Sequence, residues 1–268
     1  PSTVTKIDKF AFYGCSELSG LVLGRNVQLI SKEAFYDCIK LSLQRSSYGN
    51  YYPSSLTRIE DFAFFNCSVL LEEVKNYGYE YSFPDSLELI GKYAFYQTSI
   101  PSTFYFGPNL KTIDEYAFAL VNAIKEPSFT TTFPDALENI GDYAFYKFKG
   151  FQGITFGPNL KTIGKGAFAE CETYQYYTYT NVQLVFPDSL TSIGDYAFDS
   201  FEHLKKVAFN YNLKTIGNFA FNECTNLQGH PSNWTLVIPN SVTKIGDHAF
   251  FGCSSFNYLQ LSYNLHEI

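Results

Sequence analysis

The chain has 268 residues, 46% of them hydrophobic and 19% aromatic, with a formal charge of −7. That supply of apolar surface excludes a disordered polymer. Its 19 basic residues are scattered among 26 acidic ones, which argues against a phosphate-binding surface and against docking on anionic lipid, and no run of eighteen apolar residues offers a membrane span.

In chain order, the first seven residues end on Ile7, and Ala11-Phe12 follows. From there one unit recurs to the end of the chain. Ala-Phe pairs stand at 11–12, 34–35, 63–64, 94–95, 117–118, 144–145, 167–168, 197–198, 220–221 and 249–250, each with an Ile four residues before the Ala. The last residue, Ile268, would open another unit. The chain begins and ends inside a unit and contains no Met, so it is expected to be a piece of a longer protein, with any export signal or anchor outside it.

Successive Ala residues are 23, 29, 31, 23, 27, 23, 30, 23 and 29 apart. Within the first unit the apolar residues are Phe12, Cys15, Leu18, Leu21, Leu23, Val27 and Ile30, and Phe198, Phe201, Leu204, Val207, Phe209, Leu213 and Ile216 repeat the offsets. The Leu21-x-Leu23 step alternates with period two and predicts one short strand per unit. A unit of this size cannot bury both sides of its apolar set alone. Stacked units bury a continuous core, with strands about 4.8 Å apart and a rod of roughly 45–50 Å for ten rungs. The Ala is expected where backbones crowd, and the ten Phe residues after it in an interior stack. Asn26, Asn109, Asn159, Asn212 and Asn264 follow the strand in short units, where an amide can satisfy backbone groups.

The long units carry insertions, at about 42–52, 71–79, 122–129, 172–181 and 228–234, expected between the first Leu of the unit and its strand. Tyr48, Tyr51 and Tyr52 lie on the first, Tyr77 and Tyr79 on the second, Tyr174, Tyr176, Tyr177 and Tyr179 on the fourth, and Trp234 on the last. The repeat does not require them. Tyr and Trp give large, rigid, half-polar contact area, as interface hot spots do, so these ten are the candidate partner-binding residues. The competing reading folds the insertions back onto neighbouring rungs. The outward strand residues Val22, Tyr105, Thr155, Ala208 and Gln260 form a smooth, weakly polar face.

Cys15, Cys38, Cys67, Cys171, Cys224 and Cys253 all fall four residues after the unit's Ala, a slot that elsewhere holds Thr98, Val121, Phe148 and Phe201. A slot that accepts Phe and Val is a packing site, so these are read as buried thiols in preference to disulfides or metal ligands. The four His residues share no unit offset and are read as surface groups. Two residues before each Ala stands a charged row (Lys9, Lys32, Asp61, Lys92, Glu115, Asp142, Lys165, Asp195 and Asp247, with Asn218 in one unit), expected to form a salt-bridge ladder. Phosphate loops, nucleophile elbows and dinucleotide fingerprints are missing. Asn66-Cys67-Ser68 and Asn233-Trp234-Thr235 match the glycosylation sequon.

The I-G-x-x-A-F-x-x-C segments, as at Ile163 to Cys171, Ile216 to Cys224 and Ile245 to Cys253, resemble the BspA-like leucine-rich repeats of surface and secreted proteins of host-associated bacteria and some parasitic protists. The resemblance spans the whole chain. It implies one α/β domain over 1–268, a right-handed leucine-rich-repeat solenoid of parallel short strands with loops and short helical turns elsewhere. It implies no enzyme and no cofactor. The expected function is a protein-binding or adhesion module at the cell surface or outside the cell, with a structural spacer or a glycan-binding surface as the alternatives.

Overall fold

The computed structural model describes residues 2–47, 49–71, 81–101, 104–124, 130–151, 153–172, 182–201, 203–228 and 235–268. Ten rungs stack in register, and the recurring apolar letters point inward. The Ala of rungs two to ten is at most 3% exposed, and the Phe beside it is fully buried in rungs two to nine. Nine successive Phe pairs from Phe12–Phe35 to Phe221–Phe250 stack at 5.1–5.5 Å between centroids. A second interior column runs beside it through Tyr52, Phe83, Phe106, Phe133, Phe156, Phe186 and Phe209 at 5.4–5.8 Å.

The strand placement differs from the expectation. The continuous sheet has ten parallel strands, and each is a dipeptide ending on the unit's Ile, from Lys6–Ile7 to Lys244–Ile245. Every step pairs Ile with Ile. The L-x-L segments also pair, but only in twos: Gly20–Leu21 with Ser42–Leu43, Tyr81–Ser82 with Phe104–Tyr105, Thr130–Thr132 with Gly153–Thr155, Val182–Val185 with Leu204–Ala208, and Thr235–Val237 with Tyr258–Gln260. Each break falls on the step into a rung that carries an insertion before its L-x-L segment. On these steps the backbone ladder is lost, while the last apolar residue of the segment stays in its column, as in Phe106–Phe133 at 5.4 Å and Phe156–Phe186 at 5.7 Å.

The turns are not helical. Among the described residues there is no helix, so the fold is all-β and the α component of the expectation is corrected. The cause is local. The residue before each Ala and the residue three after it are left-handed, with φ of +52° to +74°, in all ten rungs. Seven of the residues before the Ala are Phe or Tyr and one is His, types that pay about 1–3 kcal/mol for this conformation. The alternation turns every second amide out to the next rung. Phe12 N–H donates to Ala34 O, and the same bond recurs up the stack at 2.7–2.9 Å to Phe221 N–H and Ala249 O. The remaining turn amides close i→i−3 bonds, such as Ala63 N–H to Glu60 O at 3.3 Å. A helix cannot propagate when half its amides leave the segment.

Polar residues that recur also join rungs. Asn26, Asn109, Asn159, Asn212 and Asn264 each donate through Nδ2 to a backbone carbonyl of the preceding rung at 2.6–2.9 Å. Ser86 and Ser189 do the same from long rungs, at 2.7 and 2.6 Å. The charged row is chiefly a side-chain-to-backbone ladder. Asp61, Asp142, Asp195 and Asn218 accept the N–H of the matching residue in the next rung at 2.7–3.0 Å. Among the described residues one ion pair joins two members of the row, Lys92–Glu115 at 3.0 Å. The reason is that this amide has no other partner in the turn, and a short carboxylate or amide directly above it satisfies it.

Candidate partner-binding surfaces

Of the ten candidate residues on the insertions, Tyr48, Tyr77, Tyr79, Tyr174, Tyr176, Tyr177, Tyr179 and Trp234 lie outside the described residues. Tyr51 and Tyr52 are described, on a loop that leaves the rung after the Ser42–Leu43 strand, not before it. Ser46 N–H donates to Asn50 O at 2.9 Å, Gly49 N–H donates to Ser46 O at 2.9 Å, and the Arg45 Nε–H donates to Gly49 O at 2.6 Å. Gly49 turns the loop at φ +89°.

Tyr52 is a correction to its reading as a contact residue. It is 2% exposed and occupies the interior column slot beside Phe83. Tyr52-Pro53 stands where Phe83-Pro84 stands in the next rung, so the repeat does require it. Its hydroxyl and that of Tyr81 are buried with no hydrogen-bond partner among the described residues, and burial pushes both phenols up. Tyr51 is half-buried, 5.7 Å from the Tyr81 ring, with the Arg45 guanidinium 5.9 Å from its centroid. A depression of about 200 Å³ opens beside it, bordered by Asn50, Tyr51, Ser54, Ser82 and Asp85. It is smaller than the pockets of drug-sized ligands and has room for one side chain or one small polar unit.

The sulfur sites are structural. Sγ of Cys38, Cys67, Cys171, Cys224 and Cys253 donates to the Phe carbonyl of the preceding rung at 3.0–3.1 Å. Burial pushes the Cys38 thiol up to about 11, and the thiols of Cys67, Cys171 and Cys224 well above their ordinary value. A group with those values is not a thiolate nucleophile near neutral pH. Among the described residues no cluster of His, Cys, Asp and Glu has a metal-binding arrangement. Asn66 of the first sequon spends its amide on Asp37 Oδ1, at 2.9 Å.

A second surface was not singled out from the sequence. In most rungs the residue one before the Ala, and in rungs one to four, six and ten also the residue two after it, is aromatic or His, and where such residues face one another across neighbouring rungs they stack. Phe62, Tyr93, Tyr116 and Tyr143 form one column at 4.7–4.9 Å. Tyr13, Tyr36, Phe65 and Tyr96 form the other at 4.6–4.9 Å. The columns meet edge to face or tilted, as in Tyr93–Tyr96 at 5.5 Å and Tyr143–Tyr146 at 5.8 Å. Gly166, at φ +58°, interrupts the first column, and the Tyr143 ring lies over it. Lys165 there places its ammonium 5.9 and 5.8 Å from the centroids of Tyr143 and Tyr196. The signal was present as aromatics at two fixed offsets from the Ala.

Charge gathers on the same turns. From three residues before each Ala to three after it, the ten turns hold 13 acidic and 5 basic side chains, a net of −8 against −7 for the whole chain. The remainder is close to neutral. The strand face carries Val22, Val185 and Val237, each between 45% and 68% exposed.

The chain matches the BspA type leucine rich repeat region in six copies, over residues 1–125, 128–182 and 172–268. Among solved structures, a leucine rich cell surface protein from Faecalibacterium prausnitzii is 20% identical over 97% of this chain and 77% of that one, with a TM-score of 0.48. The pneumococcal vaccine antigen PcpA is 20% identical over 98% of this chain and 68% of that one, with a TM-score of 0.50. A leucine-rich repeat protein from Bacteroides ovatus is 22% identical over 99% and 78%, with a TM-score of 0.36. Among curated proteins none matches. At these identities the structures speak to the fold alone, whereas the repeat match runs along nearly the whole chain: it belongs to the BspA-type leucine-rich repeat family.

Proposed function

We propose that this chain is a non-catalytic, protein-binding module of a cell-surface or extracellular protein, folded as one solenoid domain. The observation that carries the reading is how the side chains divide. Recurring Asn, Ser, Asp and Cys are engaged between rungs, and burial holds the thiols of Cys38, Cys67, Cys171 and Cys224 protonated. Aromatic side chains stand outside that framework in numbers that rung stacking does not need. Tyr51, with a guanidinium beside it and a depression next to it, is the described representative of the insertion edge. The names of the similar structures, a cell surface protein and a vaccine antigen, support a surface location.

The test is capture of surface or host proteins by the intact chain and by a variant whose five insertions are cut to the length of the 23-residue units. Binding that disappears with the insertions supports the edge as the contact. Capture that is unchanged removes Tyr48, Tyr51, Tyr77, Tyr79, the Tyr174–Tyr179 group and Trp234 from the site. A glycan-binding surface is the second reading, favoured by the size and polar rim of the depression beside Tyr51. Glycan-array signal lost on Trp234→Ala or Tyr51→Ala would move the assignment there.

A further inference from the structure

We infer that the aromatic turn face of the first six rungs is a docking surface for a lysine- and arginine-rich segment of a protein partner, lying along the solenoid axis. The inference rests on the reading of the chain as a protein-binding module but uses a different surface from the insertions.

Three observations converge on this partner. The rings make a contiguous, half-exposed patch held rigidly by stacking at 4.6–4.9 Å, so little side-chain entropy remains to be lost on contact. The turns of these six rungs hold eight acidic and four basic side chains, a net of −4, and a basic segment meets that charge with its complement. The face already accommodates cations of its own. The Lys147 ammonium lies 5.2 Å from the Tyr146 ring centroid and 3.2 Å from Glu170, Lys32 lies 5.9 Å from the Phe62 centroid, and Lys165 lies between Tyr143 and Tyr196. A partner cation repeats that arrangement of ring plus carboxylate. Because the ring faces within each column are covered by their neighbours, a flat sugar ring finds little to stack on here. Long cationic side chains reach the carboxylates and the ring faces left open at the column ends and at Tyr146, where Lys32, Lys165 and Lys147 already lie over Phe62, Tyr143 and Tyr146. Burial pushes the Tyr36, Tyr93, Tyr116 and Tyr146 hydroxyls up, so they stay protonated at neutral pH.

The experiment is fluorescence anisotropy with a labelled nine-residue oligo-arginine peptide and its oligo-glutamate counterpart, at low and physiological salt. The charge variant is Asp61→Asn, Glu115→Gln and Asp142→Asn combined. Asn at this offset keeps the inter-rung bond, as Asn218 Oδ1 does in accepting Asp247 N–H at 2.8 Å. The ring variant is Tyr96→Leu with Tyr146→Leu, which keeps every charge. Circular dichroism confirms that both fold. Expected results are oligo-arginine binding with no oligo-glutamate binding, a loss of about ten-fold in the charge variant, and a loss of at least about three-fold in the ring variant. Equal affinity for the two peptides, or no loss in the charge variant, overturns the inference. No loss in the ring variant overturns it as well. The insertion-shortened chain should keep its oligo-arginine affinity. If it does while protein capture is unaffected by shortening, the insertion edge fails and this face stands. If it loses oligo-arginine binding, this face fails.

Discussion

Gly217→Ala tests whether backbone contact sets the rung spacing. A Cβ there would lie 2.5 Å from Asp195 N and 2.6 Å from Gly194 C, where ordinary contact begins at 3.4 Å. Both atoms are backbone. They are held by Asn218 N–H to Asp195 Oδ1 at 2.7 Å and by Gly217 N–H to Ile193 O at 2.9 Å. Relief requires two rungs to part by nearly 1 Å out of about 4.8 Å. That movement weakens both hydrogen bonds and opens the Phe198–Phe221 stack, now at 5.2 Å. Overpacking costs about 1–3 kcal/mol and the two bonds about 1 kcal/mol each, while stiffening of the unfolded chain returns about 0.4–1 kcal/mol. The expected net loss is about 2–4 kcal/mol, or roughly 4–15 °C in Tm for a chain of this size. Gly20→Ala is the internal control, since its Cβ meets only Gln44 Cγ at 3.8 Å. Urea unfolding followed by circular dichroism reads both variants, and amide exchange at Ile193 and Ile216 localises the damage, because rungs touch only their neighbours. A Gly217→Ala midpoint within about 0.5 kcal/mol of Gly20→Ala would refute the reasoning.

Thiol labelling of the native chain should modify exposed Cys15 and half-exposed Cys253 quickly, and Cys38, Cys67, Cys171 and Cys224 only after unfolding. Six equally fast thiols would contradict their place in the core. The raised thiols also set a pH dependence. Cys38 titrates at about 11 in the folded chain and near 8.5 when unfolded. Its contribution to stability is therefore complete below about pH 8.5 and is lost as pH rises through 11. The urea midpoint should fall between about pH 8 and 10.5, and less steeply in Cys38→Val; equal slopes would count against it. Tyr81→Phe removes a buried hydroxyl with no partner among the described residues and should hold or raise stability by up to about 1–3 kcal/mol. Phe145→Ala, in the interior stack, should cost about 3–5 kcal/mol. A Tyr81→Phe midpoint below that of the unaltered chain would show that the Tyr81 hydroxyl is satisfied. A double-mutant cycle on exposed Lys92–Glu115 should return no more than about 1 kcal/mol and shrink with salt.

The sequence alone determined the rung, its count and its core. An Ile, an Ala, a Phe and a Cys-type slot at constant offsets leave no other way to bury the apolar set than to stack identical units, and the Phe column is where the repeat placed it. Tertiary structure decided which backbone segments became strands. The L-x-L alternation is local, but a strand exists only where a neighbour completes its ladder, and on the steps into rungs with an insertion before that segment the L-x-L ladder is lost while the Ile dipeptides pair through all ten rungs. It also decided the left-handed turns at Phe62, Tyr93 and Tyr116. No propensity favours those residue types there; bonds to the next rung hold them. Tyr52 and the charged row were misread for one reason: whether a side chain faces solvent, the core or the adjacent backbone depends on the rung above and below it, which a single unit does not contain.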